Sequence, residues 1–298
     1  MSLDLITYLE EKRRLVDQAL EEALPQVDGP SQNLVRSMRY SLLAGGKRLR
    51  PVLCLAGCEA VGGRSEEALP AAAALELIHT YSLIHDDLPG MDDDDLRRGR
   101  PSNHMVFGEG LAILAGDGLL TLAFGLLARA GREGRTTPDR TLAALDVIAR
   151  ASGHEGMVAG QSADLEAEGL APDEKLVEFI HTRKTGALIA AAVVAGAILG
   201  GGGPEQLAAL EAYGRRLGLA FQITDDLLDL DGDPAETGKP VGSDQARGKM
   251  TYPLVLGLAR AGKEADRLLD EAASSLAGFG ARADPLRALA EYLKRRKK

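Results

Sequence analysis

Apolar residues recur at intervals of three and four along most of the chain, which is the spacing of one helix face. Glycine, proline and aspartate separate these stretches, and no segment alternates apolar and polar positions long enough to predict a strand. The pattern predicts helices over residues 3–24, 31–44, 51–61, 65–87, 103–130, 139–168, 173–199, 204–230, 250–277 and 284–296. No long linker or clear repeat divides them. We therefore expect an all-α fold, a single large helical domain spanning residues 1–298.

The composition supports helices and narrows the range of partners. Aromatic residues make up only 4% of the chain, with no Trp, whereas hydrophobic residues make up 45%. This balance favours helices over sheets and is sufficient for a large core. The net charge of −9 argues against a nucleic-acid partner. The first residues, Met1–Asp4, show no basic-then-apolar signal segment, so we expect a cytoplasmic protein.

Two other features have simple structural interpretations. Residues 186–203 carry no charge and approach the length of a membrane span, but they are mostly Ala and Gly. They also follow Arg183 and Lys184 directly, so we predict a tightly packed core helix and no integral membrane span. Cys54 and Cys58 have the i, i+4 spacing of one helix face. Because further ligands are not nearby, we expect two buried small side chains and not a zinc site.

The first aspartate cluster, residues 86–95, follows the strongly apolar predicted helix that ends near His85. Its sequence is DDLPGMDDDD, and three arginines follow at 97, 98 and 100. Most acidic runs are solvated surface loops, but this one emerges from a buried element. The spacing does not match a calcium-binding loop. Magnesium prefers a few carboxylates, waters and phosphate oxygens, and arginines suit phosphate groups. The segment therefore predicts a magnesium and phosphate site.

The second aspartate cluster, residues 225–231, lies on a predicted helix. Asp225 and Asp229 share one face, and Asp226 lies about 100° away. Like charges at this spacing destabilise a helix, and metal binding is the simplest benefit that would offset this cost. A surface salt-bridge patch remains an alternative. A Gly- and Pro-rich segment, TGKPVGSDQARGK, follows at 237–249. Its lysines, Lys239 and Lys249, can act as point charges for a phosphate.

Taken together, these motifs resemble those of the trans-prenyl diphosphate synthases, and most of all the bacterial farnesyl diphosphate synthases. The matching segments occur in the family's order between positions 45 and 249. They are GGKRLRP at 45–51, DDLPGMDDDDLRRG at 86–99, GQSADLEAEG at 160–169, RKTG at 183–186, FQITDDLLD at 221–229 and GKPVGSD at 238–244. The resemblance implies a bundle of about a dozen helices around a central cavity, usually as a homodimer. It also implies joining isopentenyl diphosphate to an allylic diphosphate.

The resemblance assigns roles to individual residues. About three Mg²⁺ ions per site are implied, with metal positions at Asp86, Asp87, Asp92, Asp225 and Asp229, and Asp244 in support. The cations implied for the allylic diphosphate are Arg97, Lys184, Lys239 and Lys249. Those implied for isopentenyl diphosphate are Lys47, Arg50, His79 and Arg98. The Lys184 carbonyl, the Thr185 hydroxyl and the Gln222 amide are implied as dipoles facing an allylic cation. Gln161 and Asp164 lie near the metals in such enzymes.

The length of the product is predicted from the helix that presents Asp86. Side chains four and five residues earlier, Ser82 and Tyr81, lie roughly 6–7.5 Å below it by helix rise. Bacterial farnesyl synthases combine an aromatic residue at the earlier position with two extra residues in the motif, and both are present here. We therefore expect a fifteen-carbon product. The alternatives are a geranyl or geranylgeranyl diphosphate synthase and, from a different class, a non-catalytic regulatory subunit, which would lack aspartates from one cluster.

Overall fold

The computed structural model describes residues 3–231 and 249–295, apart from the side chain of Asp231. Within these ranges the structure is almost entirely helical, which confirms the all-α prediction. The first eight helices are α1 Leu5–Ala23, α2 Gln32–Leu42, α3 Leu49–Ala60, α4 Ser65–Asp86, α5 Asn103–Phe107, α6 Glu109–Arg132, α7 Pro138–Ser152 and α8 Met157–Ala167. The others are α9 Glu174–Ile180, a π-helix His181–Gly186, α10 Ala187–Leu199, α11 Pro204–Asp231, α12 Tyr252–Leu256, α13 Leu258–Ser275, a 3₁₀-helix Ala281–Ala283 and α14 Asp284–Arg295.

Several helices begin at a polar residue that caps their free amide groups. The Asp4 carboxylate accepts from the Ile6 amide at 3.1 Å, at the start of α1. Thr137 and Asp173 cap α7 and α9 in the same way. These side chains satisfy donors that the first turn leaves unpaired, so the sequence fixes where each helix begins.

Some predicted helices are interrupted where the backbone must adopt a left-handed conformation. The segment predicted as 103–130 divides into α5 and α6 at Gly108, which has a φ of 83°. The segment predicted as 250–277 divides at Gly257, with a φ of 78°. The segment 139–168 divides between α7 and α8, and 173–199 contains the π-helix. A two-residue hairpin pairs β1 Leu96–Arg97 with β2 Arg100–Pro101, antiparallel.

The centre of the protein is α10, which packs against α3, α7 and α11. Glycines permit the closest approach: a Cβ at Gly196 would lie 2.7 Å from the Cys54 carbonyl carbon, and one at Gly57 would lie 3.1 Å from that of Val193. Cys54 and Cys58 are both buried and free. The core-helix and cysteine predictions are therefore correct, and buried residues from α1 to α14 form one continuous core.

Two helical stretches are long and apolar enough to cross a membrane by length and composition, Glu109–Arg132 and Glu174–Leu199. The second contains α10 and is mostly buried inside the protein. The first, α6, keeps apolar side chains on its outer face, including Ile113 and Leu114. Core helices of soluble folds commonly pass such a test, so the apolar length alone does not indicate a span.

Candidate active site

The two aspartate clusters meet at a cavity of about 860 Å³. Its wall is built from the residue 44–50 loop, the C-terminal end of α4, the hairpin, α8, the π-helix, α11 and residues 249–251, with α1 and α14 at one side. Most residues predicted for the site line it: Lys47, Arg50, His79, Asp86, Asp92, Arg97, Arg98, Lys184, Thr185, Gln222, Asp225 and Lys249. Residues separated by 200 positions in the sequence therefore share one chamber.

The first aspartate cluster is shaped by backbone hydrogen bonds at the end of α4. The Asp92 amide donates to the Asp86 carbonyl at 2.8 Å, and the Asp94 amide donates to that of Asp87 at 3.2 Å. These bonds fold the loop back over the helix end, so Asp86 and Asp92 both face the cavity. Lys249 donates to the Asp92 carboxylate at 3.2 Å.

Asp87 faces a different direction from Asp86. Its buried carboxylate accepts from Arg97 Nε at 2.8 Å, and Arg97 also donates to Asp94 at 3.1 Å. Asp87 does not line the main cavity. The pair holds the Arg97 guanidinium at the cavity wall, next to Asp86 and Asp92.

The carboxylates that line the cavity are suited to a divalent cation. Burial raises the pKa of Asp86 to about 6, opposed by Lys184 and reinforced by the neighbouring Asp92. A buried carboxyl beside a second carboxyl gains from a cation that neutralises both. Among the described residues, no three acidic, His or Cys side chains converge as a ready-made metal cage. This arrangement fits Mg²⁺, which is usually bound by one or two carboxylates together with waters and substrate phosphates.

A second group of cations lines the cavity near the Gly45–Gly46 turn. The Gly45–Gly46 turn accepts a hydrogen bond from Arg98 at the Gly45 carbonyl, and a Cβ at Gly46 would lie 2.9 Å from the Arg98 guanidinium carbon. Gly46 has a φ of 135°, a conformation that favours glycine. Lys47 follows this turn directly and lines the same cavity as Arg98.

Arg50 and His79 complete this basic wall. Burial and the charge of Arg98 lower the pKa of Arg50, although Glu76 and Asp225 oppose the shift. Its buried Nε has no hydrogen-bond partner among the described residues. Burial and the surrounding arginines lower the pKa of His79 well below its usual value, so the imidazole is neutral at pH 7. A buried guanidinium with an unpaired donor is suited to an anion such as a diphosphate.

Arg48 holds this wall in place, a role that the sequence analysis missed. It is 3% exposed and left-handed, with a φ of 50°. Its guanidinium donates to Glu76 at 2.8 Å, to Asp17 at 2.9 Å and to the Leu42 carbonyl at 2.9 Å. Lys47, which precedes α3, and Arg50, in its first turn, are thereby fixed relative to α1, α2 and α4.

The π-helix presents Lys184 and Thr185 to the cavity. Close approach of α8 makes this possible, since a Cβ at Gly160 would lie 2.5 Å from Lys184 Cα. Lys184 Nζ donates to the Asp164 carboxylate at 2.6 Å. Burial opposes its charge, but Asp164 and Asp86 outweigh burial and raise the pKa of Lys184. Lys184 is therefore a cation at neutral pH. π-Helical turns are frequent at functional sites.

The first two aspartates of the second cluster, Asp225 and Asp226, both line the cavity. Asp226 is nevertheless only 3% exposed, and its carboxylate accepts hydrogen bonds from His181, Gln222 and the Tyr252 amide. No role for His181 and no hydrogen-bonding role for Asp226 was predicted from the sequence. The i, i+4 spacing of Gln222 and Asp226 is the signal that could have indicated part of this network.

A few predicted residues do not line the main cavity. Tyr81 is buried with its ring edge against His85, at a centroid distance of 5.6 Å, and the Ser82 hydroxyl donates to the His79 carbonyl. Asp229 also lies away from the cavity lining, at the C-terminal part of α11. Lys239 and Asp244 lie outside the described residues. The roles predicted for all of these residues stay predictions.

Comparison with known proteins agrees with this geometry. Residues 31–282 match the model of the polyprenyl synthetase family, and the chain belongs to that family. The chain is 50% identical over 259 residues to farnesyl diphosphate synthase of Geobacillus stearothermophilus, covering 87% of this chain and 86% of that one. It is 48% identical over 296 residues to the chloroplastic heterodimeric geranylgeranyl pyrophosphate synthase large subunit 1 of Arabidopsis thaliana, covering 98% and 79%.

Solved structures agree in fold. An FPP/GFPP synthase from Zymomonas mobilis superimposes with a TM-score of 0.87 at 41% identity, covering 98% of this chain and 99% of that one. Membership of the family makes the protein a trans-prenyl synthase, which confirms the resemblance seen in the motifs. The relatives are named for products of different length, so their names alone do not fix the product.

Proposed function

We propose that the protein is a farnesyl diphosphate synthase that condenses isopentenyl diphosphate with dimethylallyl or geranyl diphosphate, head to tail. The observation that carries the proposal is the meeting of two aspartate clusters and two groups of cations around one cavity. Such a site can hold two diphosphates at once. A regulatory subunit without activity would not need both clusters facing the same chamber.

The cations divide into two groups by position. Arg97, Lys184 and Lys249 each pair with an aspartate at the cavity wall, near Asp86 and Asp92. We assign this group, with Lys239, to the allylic diphosphate. A second set of residues, the cations Lys47, Arg50 and Arg98 with the neutral His79, lines the same cavity. Arg98 donates to the Gly45 carbonyl, and Arg50 and Arg98 both lie close enough to His79 to affect its pKa. We assign them to isopentenyl diphosphate.

Magnesium completes the allylic side. Asp86, Asp92 and Asp225 line the cavity and would hold the ions, with Asp87 and Asp229 in support. Bound Mg²⁺ supplies electrostatic stabilisation of the negative charge that develops on the departing diphosphate. We infer about three ions per site from the family resemblance.

The remaining steps depend on the protein's own groups. Thr185, Gln222 and the Lys184 carbonyl provide dipoles next to the carbon that becomes positive. Apolar side chains such as Phe221, Leu83 and Ile180 line the same cavity and help exclude water. Exclusion of water matters because water would convert the allylic cation to an alcohol. The departed diphosphate is our choice of base, since no side chain in the motif set is a dedicated one.

The fifteen-carbon product is inferred from Tyr81. It lies on α4 five residues before Asp86, buried against His85, about 7.5 Å farther from the cavity mouth by helix rise. A ring at that depth would stop a growing chain after about three isoprene units. A twenty-carbon product is the second candidate, because several similar relatives are named geranylgeranyl pyrophosphate synthases.

The test is incubation of the purified protein with Mg²⁺, dimethylallyl diphosphate and excess labelled isopentenyl diphosphate, followed by dephosphorylation and sizing of the alcohols. We expect mainly the fifteen-carbon alcohol. Tyr81→Ala should lengthen the product, and Tyr81→Phe, which keeps the ring, should not. A twenty-carbon product from the unchanged chain would refute the role of Tyr81. Binding of both substrates without turnover would instead indicate a non-catalytic subunit.

We also propose that the protein is a homodimer. Helix α6 exposes Ile113 (44%) and Leu114 (53%), and α7 exposes Leu142 (64%). A second copy of the chain is the occupant that would cover this apolar face, since the family resemblance implies a homodimer. Light scattering after gel filtration should give twice the mass of 31.4 kDa. Leu114→Glu should lower the mass to that of a monomer, whereas Leu3→Glu, at an exposed position just before α1, should not. The cytoplasmic location stays a prediction.

A further inference from the structure

Asp226 is a buried carboxylate that collects hydrogen bonds from three separate elements. Its Oδ2 accepts from His181 Nε2 at 2.7 Å and from the Tyr252 amide at 2.9 Å. Its Oδ1 accepts from Gln222 Nε2 at 3.0 Å. Asp226 therefore joins α11 to the π-helix and to α12. A buried ionised carboxylate is an acceptor only, so each of these partners must present a hydrogen to it.

This requirement fixes the orientation of the Gln222 amide. The NH₂ group must face Asp226, which turns the carbonyl oxygen toward Thr185. The Thr185 hydroxyl donates to that oxygen, with an Oγ1–Oε1 distance of 2.9 Å. A hydroxyl has one hydrogen and two lone pairs. Because the Thr185 hydroxyl donates its hydrogen to Gln222, the Thr185 oxygen can interact with other neighbours only through its lone pairs.

We propose that Asp226 is a positioning residue that fixes the direction of the hydrogen bonds through Gln222, so that Thr185 presents lone pairs, and not its hydrogen, to the cavity. This inference rests on the proposed prenyl transfer, in which a cation develops beside Thr185. Lone pairs directed at that carbon stabilise it, whereas an O–H dipole pointing at it would destabilise it. Asp226 therefore acts through other residues and, unlike Asp225, is not a metal ligand.

The test is a pair of double-mutant cycles that separate this role from a general structural one. Asp226→Asn replaces one acceptor with a donor at nearly the same volume. It should lower kcat about 10- to 100-fold, the range for residues that orient a catalytic group. The KM values for both diphosphates and the Mg²⁺ concentration for half-maximal activity should change less than about twofold. The share of allylic substrate released as free alcohol should rise, because a poorly stabilised cation is captured by water more often.

The cycles use two substitutions at Thr185. Thr185→Val removes the hydroxyl, so adding Asp226→Asn should have little further effect on kcat. Thr185→Ser keeps the hydroxyl, so adding Asp226→Asn should again cost the full 10- to 100-fold. An equal loss in both backgrounds would overturn the proposal, since a structural defect does not depend on the Thr185 hydroxyl. A raised Mg²⁺ requirement in Asp226→Asn would overturn it as well, in favour of metal binding.

Gln222→Leu provides a second route if Asp226→Asn does not fold. It leaves the His181 and Tyr252 bonds to Asp226 in place but removes the oxygen that accepts the Thr185 hydrogen. It should show the same dependence on the Thr185 hydroxyl, and equal losses in the Val and Ser backgrounds would again refute the proposal. Failure of the proposed function is a different outcome, because the unchanged protein would then form no prenyl product in the same assay.

Discussion

Replacement of Gly160 by alanine tests how closely helix packing controls the active site. Gly160 lies in the first half of α8, where the helix passes against the π-helix. An added Cβ would lie 2.5 Å from Lys184 Cα and 2.8 Å from the Arg183 carbonyl carbon, whereas ordinary contact begins at 3.4 Å. These are backbone atoms, so no flexible side chain can move aside. Either α8 or the π-helix must shift by about 1 Å.

Gly262→Ala is the matched control. Gly262 occupies a similar position in α13, and an added Cβ there meets no atom within 4 Å. Both substitutions gain about 1 kcal/mol of helix propensity. The difference between the two free energies of unfolding therefore reports the steric term alone, which is about 1–3 kcal/mol for an overpacked site. Gly262→Ala should be more stable than the unchanged protein.

The expected effect on catalysis is similar in free energy to the effect on stability. A displacement of about 1 Å in catalytic groups can cost about 100-fold in rate. We expect kcat/KM to fall by about that factor in Gly160→Ala and to stay unchanged in Gly262→Ala. Urea unfolding followed by circular dichroism and steady-state kinetics would measure the two effects. Equal stability and equal activity in the two variants would refute the claim that contact of α8 with the π-helix positions Lys184 and Thr185.

Other predictions concern the elements that support the site. Arg48→Met leaves the buried carboxylate of Glu76 without its partner and should lower the free energy of unfolding in urea by about 3–5 kcal/mol. Tyr213→Phe removes the 2.7 Å bond from the buried hydroxyl to the Leu286 carbonyl and should cost about 1–2 kcal/mol by the same measurement. Asp4→Ala removes the cap of α1 and should cost about 1 kcal/mol, with faster hydrogen exchange confined to the first turn. Chelation of Mg²⁺ should abolish turnover while the far-ultraviolet circular dichroism stays unchanged, because the helices are held by an apolar core; loss of helicity would contradict this.

The boundaries of the helices show which part of the fold the sequence could predict. Apolar periodicity located nearly every helix, because each one buries a continuous stripe in the core. The interruptions at Gly108 and Gly257 were missed, although both residues are visible in the sequence. Gly110 and Gly125 also lie in the apolar stretch but remain helical within α6. Periodicity does not distinguish a glycine that allows close packing from one that adopts a left-handed backbone, since the choice depends on tertiary contacts.

The residues of the candidate site could be predicted where they belong to sequence motifs that occur in the family's order. Those motifs named the lining residues, from Lys47 to Lys249, that the structure brings to one cavity. The residues that support them are distant in sequence from their partners: Arg48 pairs with Glu76 on α4, and His181 pairs with Asp226 on α11. A sequence without an alignment contains no signal for such pairs. The contact between Gln222 and Asp226 is different, because its i, i+4 spacing on one helix can be read from the sequence.

The distribution of charge explains how an acidic protein can serve two polyanionic substrates. Three of the cations proposed for the allylic diphosphate are held by carboxylates: Arg97 by Asp87, Lys184 by Asp164 and Lys249 by Asp92. Burying an isolated charge of either sign would be costly, so each buried cation needs a partner of opposite charge. The carboxylates therefore hold these cations at the cavity wall before a phosphate binds. The cations proposed for isopentenyl diphosphate are different, since Arg98 donates to a backbone carbonyl and the buried Arg50 Nε has no hydrogen-bond partner within residues 3–231 and 249–295. The excess of positive charge is therefore local, and the net charge of −9 describes the outer surface more than the site.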